Sequence, residues 1–204
     1  MSTESPTRSY RKTERARQEA ETRLRITEAT VELHRTLGPA NTTVTDVAKL
    51  AGVSRMTVYN HFPTLTELFM GCSTHWAASN PFPDPERWAE IDDASERLVS
   101  ALTELYGWYE QKEDMLGKVF RDVPIVQALS TVMSELWTPY VDGMVGVLAH
   151  GWPSTNTEPE TLHAALRLAV DFNTWRVLTE SGLNHQGAAH LAARMVAGGS
   201  GRTI

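Results

Sequence analysis

Arg55, Met56, Thr57, Tyr59, Asn60 and His61 crowd into one short segment, Ser54–His61, and are mostly polar, planar or hydrogen-bonding. Presented together by a helix, such side chains are suited to the edges of base pairs. The Arg55 fork matches guanine O6/N7, the Asn60 amide matches adenine, and the Thr57 methyl group can meet the methyl of thymine. Tyr59 and His61 suit phosphates, contacts that set register rather than read sequence. The Tyr59 ring is also apolar enough to half-bury itself against a neighbouring helix while its hydroxyl stays polar. Thr43 and Thr45 sit at one expected helix start and Thr64 opens the next, where hydroxyls and free backbone N–H groups favour an anion.

What must position them is the stretch Thr42–Phe62, TTVTDVAKLAGVSRMTVYNHF. Thr43 with Asp46 three residues on makes a capping-box-like start for a helix to about Ala51. Gly52 supplies a turn position open to positive φ. Ser54 then caps a second short helix to about His61, and Pro63 closes it. Ala48 is small where the second helix crosses closely, and Val47, Ala51, Val53 and Val58 supply the apolar contact. A small residue, a glycine turn and buried aliphatics at this spacing are what a helix-turn-helix requires, though any tight pair of helices could show the spacing alone.

Upstream, Ile26, Ala29, Leu33 and Leu37 recur at helical spacing and predict a helix from about Arg15 to Leu37, ended by Gly38-Pro39. Downstream, Thr64 and Glu67 form a T-x-x-E box for a helix running to about Ala78. With these flanks, residues 15–70 resemble the DNA-binding domain of the tetracycline-repressor (TetR/AcrR) family. The matching features are the long first helix, T-T-V-T-D-V-A-K-L-A-G-V-S, the Y-N-H-F ending and the following T-L-T-E-L-F. The resemblance implies that Ser54–His61 enters the major groove, that the flanking helices meet the backbone, and that the protein acts as a repressor. Two departures stand out. Met56 replaces the family's usual small residue, which alters the reading surface, and Leu65 replaces a usual lysine, which removes one phosphate contact. The basic residues Arg8, Arg11, Lys12, Arg15 and Arg17 either substitute for that contact or belong to a solubilising tail.

Charge distribution agrees with a polyanion partner at the N-terminal end. The net charge is −6, but residues 1–65 carry ten Lys/Arg against seven Asp/Glu, and residues 66–204 nine against eighteen. A hydrophobic fraction of 41% excludes a disordered chain. The single cysteine, Cys72, excludes a disulfide framework within the chain and a cysteine-based zinc site. Neither a signal-peptide run nor an 18-residue apolar span occurs, so no membrane partner and a cytoplasmic location are expected.

Beyond Asn80 the pattern changes. The proline-rich Asn80–Pro85 reads as a linker. After it come expected helices at about 93–111, 113–122, 124–150 with Pro139 predicting a kink or break, 160–181 and 186–197, with a loop over 151–159. The expected fold class is all-α. A flexible basic arm (1–14) and a DNA-binding domain (15–79, motif 43–62) precede a larger helical regulatory and dimerisation domain (80–198) and a disordered tail (199–204). By resemblance, the last two helices pair with those of a second copy, and a homodimer would read a palindromic duplex.

All six tryptophans lie beyond residue 75. Trp108, Met115, Phe120, Trp137, Tyr140, Phe172 and Trp175 suit either plain core packing or the walls of an apolar pocket for a small-molecule effector. Asp171 interrupts an otherwise apolar helix and, like Asn173 or Arg121, is a candidate polar anchor. No H-E-x-x-H, phosphate-binding glycine loop or G-x-S-x-G is present, and the pair His185/His190 lacks a third ligand, so neither catalysis, a metal nor a cofactor is expected. An all-helical enzyme without a recognisable motif would leave Thr42–Phe62 unexplained. A helix-turn-helix adaptor with vestigial DNA affinity is the other alternative, which Leu65 and the acidic total charge favour slightly.

Overall fold

The structure, a computed structural model, describes residues 6–152 and 158–199. The first five residues of the expected arm, the middle of the expected loop and the tail beyond Gly199 lie outside them. Among the described residues all regular structure is helical: α1 (Pro6–Thr36), α2 (Val44–Ala51), α3 (Arg55–His61), α4 (Leu65–Ser79), α5 (Pro85–Ala89), α6 (Ala94–Asp122), α7 (Gln127–Leu148), α8 (Pro159–Ala169), α9 (Phe172–Glu180) and α10 (His185–Gly199), with a 3-10 turn at Pro39–Asn41. No described helix is long and apolar enough to cross a membrane.

Two compact units form. Among the described residues, the first comprises those up to Asn80 with Arg121–Val132, and the second Pro81–Phe120 with those from Met133 onward. In the first, α1 packs against α2 and α4, and α2 against α3. The shared core is Ile26, Val47, Val58, Phe62, Leu68 and Phe69, all at most 3% exposed. Asp122 brings the 121–132 segment into this unit. Its buried carboxylate accepts the Ala40 N–H at 2.9 Å and pairs with Arg121 at 2.7 Å. Arg121 is thus engaged with Asp122 in the first unit.

Helix α1 starts at Pro6, well before the expected Arg15. Ion pairs one turn apart support the extra turns: Glu14–Arg17 at 2.6 Å, Arg15–Glu19 at 3.1 Å and Arg17–Glu21 at 3.8 Å. Residues 6–14, expected as part of a flexible arm, are the first turns of this helix.

The second unit departs from the sequence pattern in four places. Helix α6 runs unbroken through Gln111–Glu113, because the polar run there consists of good helix formers and adds a Lys118–Asp114 pair. Helix α7 continues through Pro139. Pro139 and Glu135 are both exposed, so the carbonyl that loses its partner can turn to water. Asn80–Pro85 is not a free linker: Pro83 is buried and its carbonyl accepts the Tyr140 hydroxyl at 2.7 Å. Finally, the expected 160–181 helix is two helices. Asp171 caps α9 by accepting the Asn173 N–H at 2.8 Å. The carbonyls freed at the break are met by tyrosines of α6, Tyr106 to Ala169 at 2.6 Å and Tyr109 to Val170 at 2.7 Å.

Candidate nucleic-acid interface

Local chemistry sets the helix-turn-helix. Thr43 and Asp46 form a reciprocal capping box, with the Asp46 N–H on Thr43 Oγ1 at 3.2 Å and the Thr43 N–H on Asp46 Oδ2 at 3.3 Å. Gly52 ends α2 with φ 67°, a left-handed conformation that a side chain would strain. Val53 N–H closes the turn on the Ala48 carbonyl at 2.9 Å. Ser54 then starts α3, its Oγ accepting the Thr57 N–H at 3.0 Å, and Thr64 starts α4 by accepting the Glu67 N–H at 3.1 Å.

This framework turns α3 so that Val58 faces the core at 1% exposure while Met56 is 68% and Tyr59 41% exposed. Arg55 and Asn60 are also exposed, and Thr57 and His61 half-buried. Thr43, Thr45 and Thr64 are exposed at the starts of α2 and α4. Met56 and Tyr59 thus present apolar surface to solvent beside Arg55 and Asn60, an open face of mixed chemistry.

Two arginines that the motif pattern does not reveal hold α2 and α3 from behind. Arg25 of α1 donates to the Ala51 carbonyl at 3.2 Å, the C-terminal end of α2. Arg23 donates to the His61 carbonyl at the end of α3, its guanidinium 3.9 Å from the centre of the Phe62 ring. Each cation meets carbonyls at the negative end of a helix dipole. Their only signal in the sequence is basic character two residues apart on the preceding helix.

In the second unit the aromatic residues form one connected cluster. Trp137 lies 5.5 Å from Phe120, 5.5 Å from Tyr140 and 6.4 Å from Trp108, and Phe172 lies 5.0 Å from Phe120 and 5.2 Å from Trp175. Met115 is buried. Phe82, hidden in the proline-rich stretch, joins by stacking on Tyr140 at 4.9 Å and meeting Trp108 at 5.2 Å. Asp171 is not inside this cluster. Being the α9 cap, it is exposed, and with Arg167, Trp137, Thr138, Val141 and Val170 it lines a cleft of about 220 Å³ beside it. Asn173 is exposed as well. Among the described residues no group of three or more His, Cys, Asp or Glu is placed to hold a metal ion.

An N-terminal helix-turn-helix followed by a second all-helical unit defines a helix-turn-helix protein. Residues 26–71 match the family model for bacterial regulatory proteins, tetR family. The matched segment lies, but for its last residue, within residues 15–70, the part of the sequence that resembles that family's DNA-binding domain. Among solved structures it is similar to NalD of Pseudomonas aeruginosa, the secondary repressor of the MexAB-OprM multidrug efflux pump. The two share 20% identity with a TM-score of 0.61, over 91% of this chain and 99% of that one. It is also similar to FadR from Bacillus subtilis, solved with stearoyl-CoA, at 16% identity and TM-score 0.62 over 86% and 98%. RolR, solved with resorcinol, follows at 15% identity and TM-score 0.54 over 92% and 91%. These likenesses are of fold. No curated protein matches the chain in sequence.

Proposed function

We propose that this protein is a DNA-binding transcriptional repressor that works as a homodimer on a palindromic duplex and answers to a small-molecule effector. The observation that carries the reading is the exposed outward face of α3, with Val58 inward and Arg55, Met56, Tyr59 and Asn60 free of the protein's own core. In this reading Arg55, Met56, Thr57 and Asn60 meet base edges. Tyr59, His61, Thr43, Thr45 and Thr64 touch phosphates and fix register.

One short helix reads few base pairs, so specificity needs a second copy related by a twofold axis. The surface left for that copy lies on α8, α9 and α10. Leu166, Ala169, Val170, Ala188 and Ala192, small or aliphatic residues of these helices, are consumed by the chain's own core. Leu168, Val177 and Met195 stay exposed at 60%, 59% and 59%. A shallow apolar groove of about 140 Å³ runs past Leu168 and Met195.

The effector belongs in the second unit, where Trp108, Met115, Phe120, Trp137, Tyr140, Phe172 and Trp175 offer apolar walls and the cleft beside Trp137 has Arg167 and Asp171 at its edge. Similar folds solved with stearoyl-CoA and with resorcinol support the reading that this protein too takes a small molecule. A ligand favouring one dimer geometry would change the spacing of the two α3 helices, and coupling of about 1–3 kcal/mol suffices.

The test is a gel shift on the DNA upstream of the protein's own gene. Salt-sensitive, sequence-specific retardation that is lost in Arg55→Ala and Tyr59→Ala supports the reading. No retardation at low salt refutes it.

A further inference from the structure

We infer that the N-terminal half of α1 is a second DNA-contacting element, which lays Arg11 and Lys12 against phosphates flanking the site read by α3. The inference rests on the DNA-binding reading above and extends it to residues outside the family-matched segment 26–71.

No residue from Tyr10 to Arg25 is buried; the first buried side chain of α1 is Ile26. Among the described residues this half of the helix buries no side chain, although it continues without a break into the packed half. Arg25 and Arg23 reach the ends of α2 and α3, so the helix passes the reading motif there and residues 10–22 project beyond it.

The charges on the projection divide into two sets. Glu14 and Glu21 share the Arg17 guanidinium in ion pairs and leave a net charge of −1. At 3.6 residues per turn they sit roughly 120–180° away from Ile26 around the helix. Arg11, Lys12 and Arg15 fall within about 60° of Ile26, on the side of α1 that packs into the core with α2 and α4. The single acidic residue on that side, Glu19, is taken by Arg15 at 3.1 Å. Arg11 and Lys12 have no hydrogen-bond or ion-pair partner among the described residues and are exposed.

Free cations are thus aligned with the packed face of α1, while the charges facing away are acidic in sum and engaged with one another. At a rise of 1.5 Å per residue, Arg11 stands about 22 Å along the helix from Ile26, about six base pairs of duplex. A phosphate backbone running past the end of α3 is the surface whose charge and length this face fits.

The test uses the full chain and duplexes of about 40 base pairs that it selects from a randomised library. The same duplexes are also prepared with about six flanking base pairs removed on each side. Binding is measured against salt for the unaltered chain, for Arg11→Gln/Lys12→Gln and for Arg17→Gln. Trimming should weaken the unaltered chain about tenfold. Arg11→Gln/Lys12→Gln should weaken binding to the long duplex by a similar factor. It should also reduce the salt slope by about two per protomer, keep the order of base preferences and become insensitive to trimming. Arg17→Gln should bind like the unaltered chain. If the double variant keeps the full salt slope and sensitivity to trimming, the inference falls while the α3 reading stands. Equal losses in Arg17→Gln and the double variant would also overturn it, since they would report only total charge. Failure of the unaltered chain to select any sequence overturns both.

Discussion

Arg23 and Phe62 lock the end of α3 to α1: the guanidinium carbon lies over the ring, 3.9 Å from its centre, while its Nη1 donates to the carbonyl of His61, the neighbouring residue. A cation over an aromatic face and a charge-assisted bond to a helix C-terminus act here on the same side chain. Arg23→Met keeps the aliphatic stem and removes both. It should cost about 1–2 kcal/mol of unfolding free energy, read by urea denaturation. It should weaken DNA binding without changing the order of base preferences, because the helix loses its seat and not its reading side chains. A change in preferred sequence would place Arg23 on the bases instead.

Gly71 of α4 packs against the same ring. A Cβ there would come within 2.8 Å of Phe62 Cε1, closer than packed atoms sit. Phe62 is 1% exposed and is the C-cap of α3, so its ring has little room to retreat. Gly71→Ala should therefore destabilise the unit by about 1–3 kcal/mol, although alanine is the better helix former. Thermal unfolding followed by circular dichroism checks this; a rise in melting temperature would show that the ring shifts freely.

The helix-turn-helix was legible because each of its signals is local. Thr43 with Asp46, Gly52, Ser54 with Thr57, and Thr64 with Glu67 all act within three or four residues; the Thr43–Asp46 box closes in both directions, while Thr64 Oγ1 accepts the Glu67 N–H and donates to the Glu67 carboxylate. The second unit hid its structure in distant partners. The break before Asp171 depends on hydroxyls of Tyr106 and Tyr109, more than 60 residues upstream. A window of sequence around Asp171 shows an apolar helix with a stray acid, and only the α6 tyrosines turn that acid into a cap. Phe82 reads as linker until Trp108 and Tyr140 surround it. Pro139 looks like a break because sequence does not tell that its side of α7 faces water. Arg23 and Arg25 resemble ordinary surface cations of a basic helix until the carbonyls they meet are in place.

His34 gives the first unit a pH dependence. It is 4% exposed, its ring edge-on to Phe69 at 4.6 Å, its Nδ1 3.6 Å from Cys72 Sγ and its Nε2 without a partner. Burial pushes its pKa down to about 4, against a weaker upward pull from Asp122. The unfolded chain takes up this proton near pH 6.5, the folded chain only near 4. Stability is therefore full above about pH 6.5 and falls as pH drops toward 4, by up to about 3 kcal/mol. His34→Gln should flatten that segment of the stability–pH curve. The Cys72 thiol, pushed up to about 12 by burial, stays protonated throughout. An unchanged slope in the variant would assign the dependence elsewhere.

The α8–α9 break separates two roles for Asp171. If it is only a cap, Asp171→Asn keeps an acceptor for the Asn173 N–H and should be nearly neutral, while Asp171→Ala costs about 1 kcal/mol. Tyr109→Phe strips the buried Val170 carbonyl of its 2.7 Å donor and should cost about 1–3 kcal/mol. A tyrosine so deeply buried, with its pKa driven well above the ordinary value by desolvation, remains a neutral donor at any physiological pH, so this loss should not vary between pH 6 and 9. Denaturation of the three variants at both ends of that range measures it. A large effect of Asp171→Asn on stability would show that its charge, rather than its acceptor oxygen, holds the break.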